Sequence, residues 1–179
     1  MSAVEPIRDK QDIQKVEDIL SKNERNFLLF KFGINTGLRI SDILKLDVKD
    51  VKNKDIIRIQ EKKTKKIKQF QINVNLKTLI DKFTKNMILN APLFRSVYSK
   101  RLERTYVYRM INEACDKAGI DIKAGTHTLR KTFGYHHYKQ FRDVALLQRI
   151  FNHSSPNVTL RYIGIEQDEI DESYMNFYL

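Results

Sequence analysis

DIIRIQEKKTKKIKQFQI, residues 55–72, is the stretch in which apolar residues switch from helical spacing to alternation. Residues 55–60 and 67–72 are rich in β-branched and apolar side chains, and they flank the polar run 61–66. That pattern predicts a β-hairpin. Residues 48–51 are read as a short additional strand. Outward from the hairpin the period is helical. Upstream, residues 9–20 place Ile13, Val16, Ile19 and Leu20 on one face. Residues 26–34 form a strongly apolar helix that ends at Thr36-Gly37, where glycine suits the left-handed C-terminal position. Residues 40–46 start a short helix. Downstream, 76–89, 100–118, 128–140, 144–151 and 157–162 read as helices, with a last one over about 167–177. The expected fold is mainly α with a small antiparallel β-sheet: an α+β domain over 1–165, then an acidic amphipathic helix over 166–179.

Composition narrows the function. The chain has 179 residues, 41% hydrophobic and 31% charged, which excludes a disordered tail and a membrane protein. No run approaches the roughly 18 apolar residues of a membrane span. The first ten residues carry charges and a proline without an apolar core, so they are not a secretory signal. The lone Cys115 excludes a disulfide framework and a cysteine-based zinc site, and it suits a reducing compartment. A cytoplasmic location is therefore expected. The net charge of +11 calls for a polyanionic partner, nucleic acid ahead of an anionic membrane surface. The surplus is uneven. Thirteen Lys and Arg face five acids between Lys45 and Asn90, whereas 166–179 holds five acids and no base.

Three segments carry chemistry. In TGLRISDIL, residues 36–44, Arg39 follows a glycine turn and opens a helix, a good place to meet an anion. Asp42, three residues on, shares its face and supports it. In HTLRKTF, residues 127–133, His127 and Arg130 share a helix face, and an imidazole beside a guanidinium suits a phosphate. In NHSSPNVTLRY, residues 152–162, His153 ends one helix, Pro156 starts the next and Tyr162 closes it. A tyrosine oxygen can attack phosphorus. His136 and His137 lack the spacing and the acid or cysteine partners of a metal site. The 135–138 stretch is read as helix packing, and no metal or cofactor is expected.

The order of these segments, with a basic hairpin between the first two, resembles the tyrosine recombinase (phage integrase) family over residues 23–162. The resemblance implies that family's catalytic-domain fold. It also implies attack by Tyr162 on a scissile DNA phosphate, giving a 3′-phosphotyrosyl bond and a free 5′-hydroxyl without ATP or metal. By similarity Arg39 and Arg130 bind the non-bridging oxygens, His127 assists proton transfer at the nucleophile, and His153 donates to the phosphate. The family's hairpin lysine protonates the leaving 5′-oxygen. Of Lys62, Lys63, Lys65, Lys66 and Lys68, the offset from Gln71-Ile72 selects Lys63, with Lys65 second. A cationic cluster of this kind is expected to lower the pKa of Tyr162.

Many members carry an N-terminal DNA-binding domain that completes a clamp around DNA. About 22 residues precede the first motif, so a stand-alone catalytic domain is expected, with double-stranded DNA as partner. Its grip would come from self-association through the C-terminal tail or from an accessory protein. Ile170, Tyr174 and Phe177 would form the tail's buried face, against a neighbouring subunit or against its own domain. The alternative function is a DNA-binding regulator or accessory factor that keeps the fold without recombining DNA. A topoisomerase-like nicking and resealing enzyme is a third reading.

Overall fold

The protein is represented by a computed structural model that describes residues 4–60, 67–165, 172 and 174–178. Helix α1 (Lys10–Leu20) begins at Asp9, whose side chain accepts from Gln11 N. Helix α2 (Glu24–Thr36) starts earlier than its apolar run because Asn23 caps it, accepting from Asn26 N. It stops at Gly37, which has φ +59°. A Cβ there would lie 2.4 Å from the Phe133 ring, so both the turn and the packing require glycine. Helix α3 (Ile40–Ile43) follows after two residues.

Residues 48–51 do not form a strand. Val48–Asp50 is a single 3-10 turn in which Asp47 and Asp50 cap each other reciprocally, Asp47 N donating to Asp50 Oδ2 at 2.8 Å. Local side-chain bonds win over ladder formation at this polar site. The hairpin is as expected. Strands β1 (Ile56–Gln60) and β2 (Ile67–Gln71) pair antiparallel from Ile56↔Gln71 to Gln60↔Ile67, and Ile57 and Ile59 turn into the core.

Helix α4 (Val74–Thr84) starts at the Asn73 cap and ends a turn early, and α5 (Arg104–Lys117) starts late. The late start comes from Arg101. Its Nη1 donates to the carbonyls of Leu44, Lys45 and Leu46, and its Nη2 pairs with Asp47 at 2.6 Å. Residue 101 also bridges to Arg95, so the backbone is extended where the apolar period continued a helix. Three helices finish the body: α6 (Thr128–Phe141), α7 (Val144–Phe151) and α8 (Pro156–Ile163), the last with Pro156 in its first turn and Ser155 as cap.

Two apolar cores result. The larger surrounds α2, whose Leu29, Phe30 and Phe32 are fully buried against α1, α4 and α6. The smaller gathers Tyr138, Leu147, Phe151, Ile163 and Ile165 from α6, α7 and α8. Helix α6 joins them, giving Leu129 to the first and Tyr138 to the second. It approaches α8 closely because Gly134 has no side chain: a Cβ would lie 2.6 Å from Ile163. The N-terminal segment straps this helix. Ile7 N donates to Thr132 Oγ1 at 2.9 Å, and Ile7 O receives His136 Nε2 at 3.0 Å.

Of the acidic tail, Glu172 and residues 174–176 are helical. Tyr174 is 81% and Phe177 69% exposed, so these two do not pack on their own domain; Ile170 lies outside the described residues. Among the described residues no helix is long and apolar enough to cross a membrane.

Candidate active site

The junction of the two cores holds a buried arginine. Arg130, in the first turn of α6, is 2% exposed. Its Nη1 donates to Gly37 O at 2.7 Å and its Nη2 to Phe151 O at 2.9 Å, while the guanidinium lies 4.3 Å from the centre of the Phe151 ring. Both acceptors are at helix C-termini, those of α2 and α7, where the backbone dipoles present negative charge. One side chain thus ties together three helices, and they in turn fix its plane.

Around it opens a cavity of about 480 Å³, lined by Arg39, Ser41, Arg104, Thr126, His127 and Arg130. Arg39 stands at the N-terminus of α3, half-buried, with Asp42 buried beneath it on the same short helix. His127 caps the start of α6, and its Nδ1 meets the Tyr162 hydroxyl at 3.1 Å. The Tyr162 ring is held on α8 by Phe151 and His153, with ring centres 5.6 and 5.0 Å away, and by Lys131, whose Nζ is 5.1 Å from its centre. His153 is itself fixed: its Nδ1 lies 3.1 Å from Thr159 Oγ1, and its carbonyl receives Gln148 Nε2. The structure therefore brings together Arg39, His127, Arg130, His153 and Tyr162 from three separate segments.

Lys63 and Lys65 lie outside the described residues. Among the described residues the pairing runs to Gln60↔Ile67, and Lys68 beside that pair donates to Ile150 O at 3.0 Å. The paired end of the hairpin therefore abuts α7, one residue from an acceptor of Arg130.

The electrostatics correct one expectation. The Tyr162 pKa is raised, not lowered: burial of the phenol outweighs the opposing pull of Arg130 and Arg39. The same cleft lowers the His127 pKa, first by desolvation and then through Arg104, Arg130, Lys131 and Arg39. His127 is thus neutral at neutral pH and able to accept a proton, next to a tyrosine that keeps its own until the charge balance changes.

Two side chains at the site escaped the motif reading. Arg104 opens α5, donates through Nε to Thr126 Oγ1 at 3.2 Å, and is the foremost charge acting on His127. Its place is set by tertiary packing, which no spacing in the sequence signals. Lys131 was legible in principle, being four residues after His127 and so on the same helical face. His136, bonded to Ile7 O, and His137, between the rings of Phe133 and Phe141, are packing groups as the sequence suggested.

Comparison with known proteins accords with this geometry. A profile described as the Phage integrase family matches residues 9–169. The chain is 50% identical over 179 residues to the probable integrase/recombinase YoeC of Bacillus subtilis (strain 168), covering 99% of this chain and 98% of that protein. It is 31% identical over 172 residues to the tyrosine recombinase XerH of Campylobacter jejuni, covering 90% of this chain but 48% of that one, so it spans about half that relative's length. In fold it is similar to a crystal structure of XerH site-specific recombinase bound to palindromic difH substrate in a post-cleavage complex. The TM-score is 0.77 at 22% identity, covering 97% of this chain and 54% of that one.

Proposed function

Because this chain belongs to the phage integrase family of site-specific DNA recombinases, we propose that it cuts and rejoins DNA strands with Tyr162 as nucleophile. The observation that carries this reading is the contact of Tyr162 with His127 beside a cavity lined by Arg39 and Arg130.

The Tyr162 oxygen attacks the scissile phosphorus as the bond to the 5′-oxygen breaks. One phosphodiester becomes one phosphotyrosyl ester plus a 5′-hydroxyl. His127 takes the phenol proton. A hairpin lysine, Lys63 with Lys65 as the second choice, gives one to the leaving oxygen. Attack by a 5′-hydroxyl from another strand reverses each step. Arg39 and Arg130 hold the equatorial oxygens on which charge collects, and His153 donates to the same phosphate. Preorganised positive charge of this kind is the main source of rate in phosphoryl transfer. Because bond energy is conserved in the phosphotyrosyl ester, the cycle needs no ATP. Two guanidiniums with permanent charge suit the role a divalent ion would otherwise fill, so the reaction is read as metal-independent.

Duplex DNA is the proposed partner, as the +11 charge and the XerH–difH resemblance support. On a duplex nicked next to the cut, in excess EDTA, a covalent protein–DNA adduct is expected. Its rate should fall on acidification with a half-point below 6.5, the ordinary histidine value, because a lowered His127 pKa keeps the base neutral further into acid. A half-point at or above pH 7 would contradict the assignment of His127. DNA binding without any adduct would favour the regulator.

The tail is proposed to dock on a second copy of the chain on DNA, since Tyr174, Met175, Phe177 and Tyr178 are exposed on an acidic segment beside a basic body. Deleting 166–179 should leave DNA-bound species at one copy by light scattering where the full chain gives two or more. Unchanged stoichiometry would remove this role, and loss of a different bound protein would assign the tail to an accessory factor.

A further inference from the structure

Lys131 is a charged group at the site with no task in the reaction above. It is 9% exposed, one helical turn beyond His127 and adjacent to Arg130. Among the described residues its ammonium makes no hydrogen bond and no ion pair, and what it touches is the face of the Tyr162 ring. The stem is buried and the ammonium is partly desolvated, and a π face recovers part of that cost. Arg130 and His127 stand on the same helix, His153 packs on the same Tyr162 ring, and Arg39 and Arg104 line the cavity beside His127. Glu5 of the N-terminal strap is the acid acting on it. Burial pushes its pKa down from the ordinary lysine value and Glu5 pushes it back up.

A cation over a phenol ring changes in value during the reaction. It is held weakly by the neutral ring and strongly once the oxygen carries negative charge, because that charge spreads into the ring. Resting on the reading of Tyr162 as nucleophile, we propose that Lys131 is a positioning residue: its ammonium, over the face of the Tyr162 ring, seats that ring against His127 and stabilises the oxygen as it becomes anionic. Lys131 need not touch DNA to do this. Its positive charge is already in place when the phenol, protonated at rest, gives up its proton.

The test compares Lys131→Met, which keeps a buried unbranched stem without charge, with Lys131→Arg, which keeps a cation over the ring. Single-turnover adduct formation on a nicked duplex is followed from pH 6 to 10, alongside affinity for the same duplex and thermal melting as a folding control. The methionine variant should form adduct roughly tenfold more slowly at pH 7.5, the size expected of a desolvated cation–π contact. The alkaline rise of its rate should move up by about one pH unit, with DNA affinity within about threefold of wild type. The arginine variant should recover most of the rate and the wild-type profile. Wild-type rate and profile in a folded methionine variant would overturn the proposal, as would an arginine variant no better than methionine. If methionine prevents folding, failure of arginine to sustain the reaction decides in the same way. Absence of adduct in the wild type would instead overturn the nucleophile reading, and this proposal with it.

Discussion

Tyr162→Phe is expected to abolish covalent capture of DNA, with adduct formation falling by roughly 10⁴-fold or more, as for loss of a nucleophile that no neighbour can replace. The substitution isolates the oxygen. Phenylalanine keeps the ring contacts with Phe151, His153 and Lys131, whose partners lie 5.6, 5.0 and 5.1 Å from the ring centre. It loses the 3.1 Å contact with His127, and a hydrogen bond of this kind contributes about 0.5–1.5 kcal/mol net. Because burial holds the phenol protonated in the resting state, its removal takes no negative charge from the site. Stability and DNA affinity should therefore stay near wild type while chemistry stops. Denaturing gels read the adduct, and gel shifts on the same duplex read binding. Adduct at wild-type rate in the phenylalanine variant would mean that another group attacks.

The second large effect is expected at Arg130, on chemistry and fold together. Alanine there removes one of the two guanidiniums assigned to the phosphate, and a preorganised donor to transition-state charge is worth roughly 10²–10³ in rate. It also frees the carbonyls of Gly37 and Phe151 at the ends of α2 and α7 and leaves a void at the junction of the two cores. Unsatisfied buried acceptors cost about 1–3 kcal/mol each, so freeing two is expected to cost roughly 2–6 kcal/mol in urea unfolding. Arg130→Lys separates the two roles. Lysine keeps the charge but cannot span both carbonyls and a phosphate in one plane, so it should retain most DNA affinity and still lose about 10²-fold in cleavage. Cleavage by the lysine variant within threefold of wild type would show that the planar fork is not needed.

Much of this arrangement was legible from residue order. The hairpin at 55–72 follows from alternation, and helix ends at Gly37 and at Pro156 follow from their fixed backbone preferences. The site residues could be named because the order of the three motifs resembles that of the tyrosine recombinase family; helical period alone says only that His127 and Arg130 share a face. What could not be read was decided by particular side-chain contacts, local at Asp47–Asp50 and distant elsewhere. The Asp47–Asp50 capping pair turned an expected strand into a 3-10 turn, and the hold of Arg101 on three carbonyls delayed the start of α5. The Tyr162 titration went the other way for the same reason: the arginines are visible in the sequence, whereas the depth at which the phenol is buried is not. Arg104 came from a helix with no motif of its own, and Lys131 sat inside a quoted motif without a role until its contact with the ring was seen.

The most direct test is the identity of the residue bonded to DNA. Wild-type protein would be trapped on a duplex nicked next to the cut, so that the short 5′-hydroxyl fragment diffuses away. The adduct would then be digested with protease and nuclease and the nucleotide-bearing peptide sequenced by mass spectrometry. The expected result is a single modified peptide with the 3′-phosphate on Tyr162. A nucleotide on any other residue, or a DNA-bound protein that yields no modified peptide, would contradict the assignment of Tyr162 as the strand-cutting nucleophile.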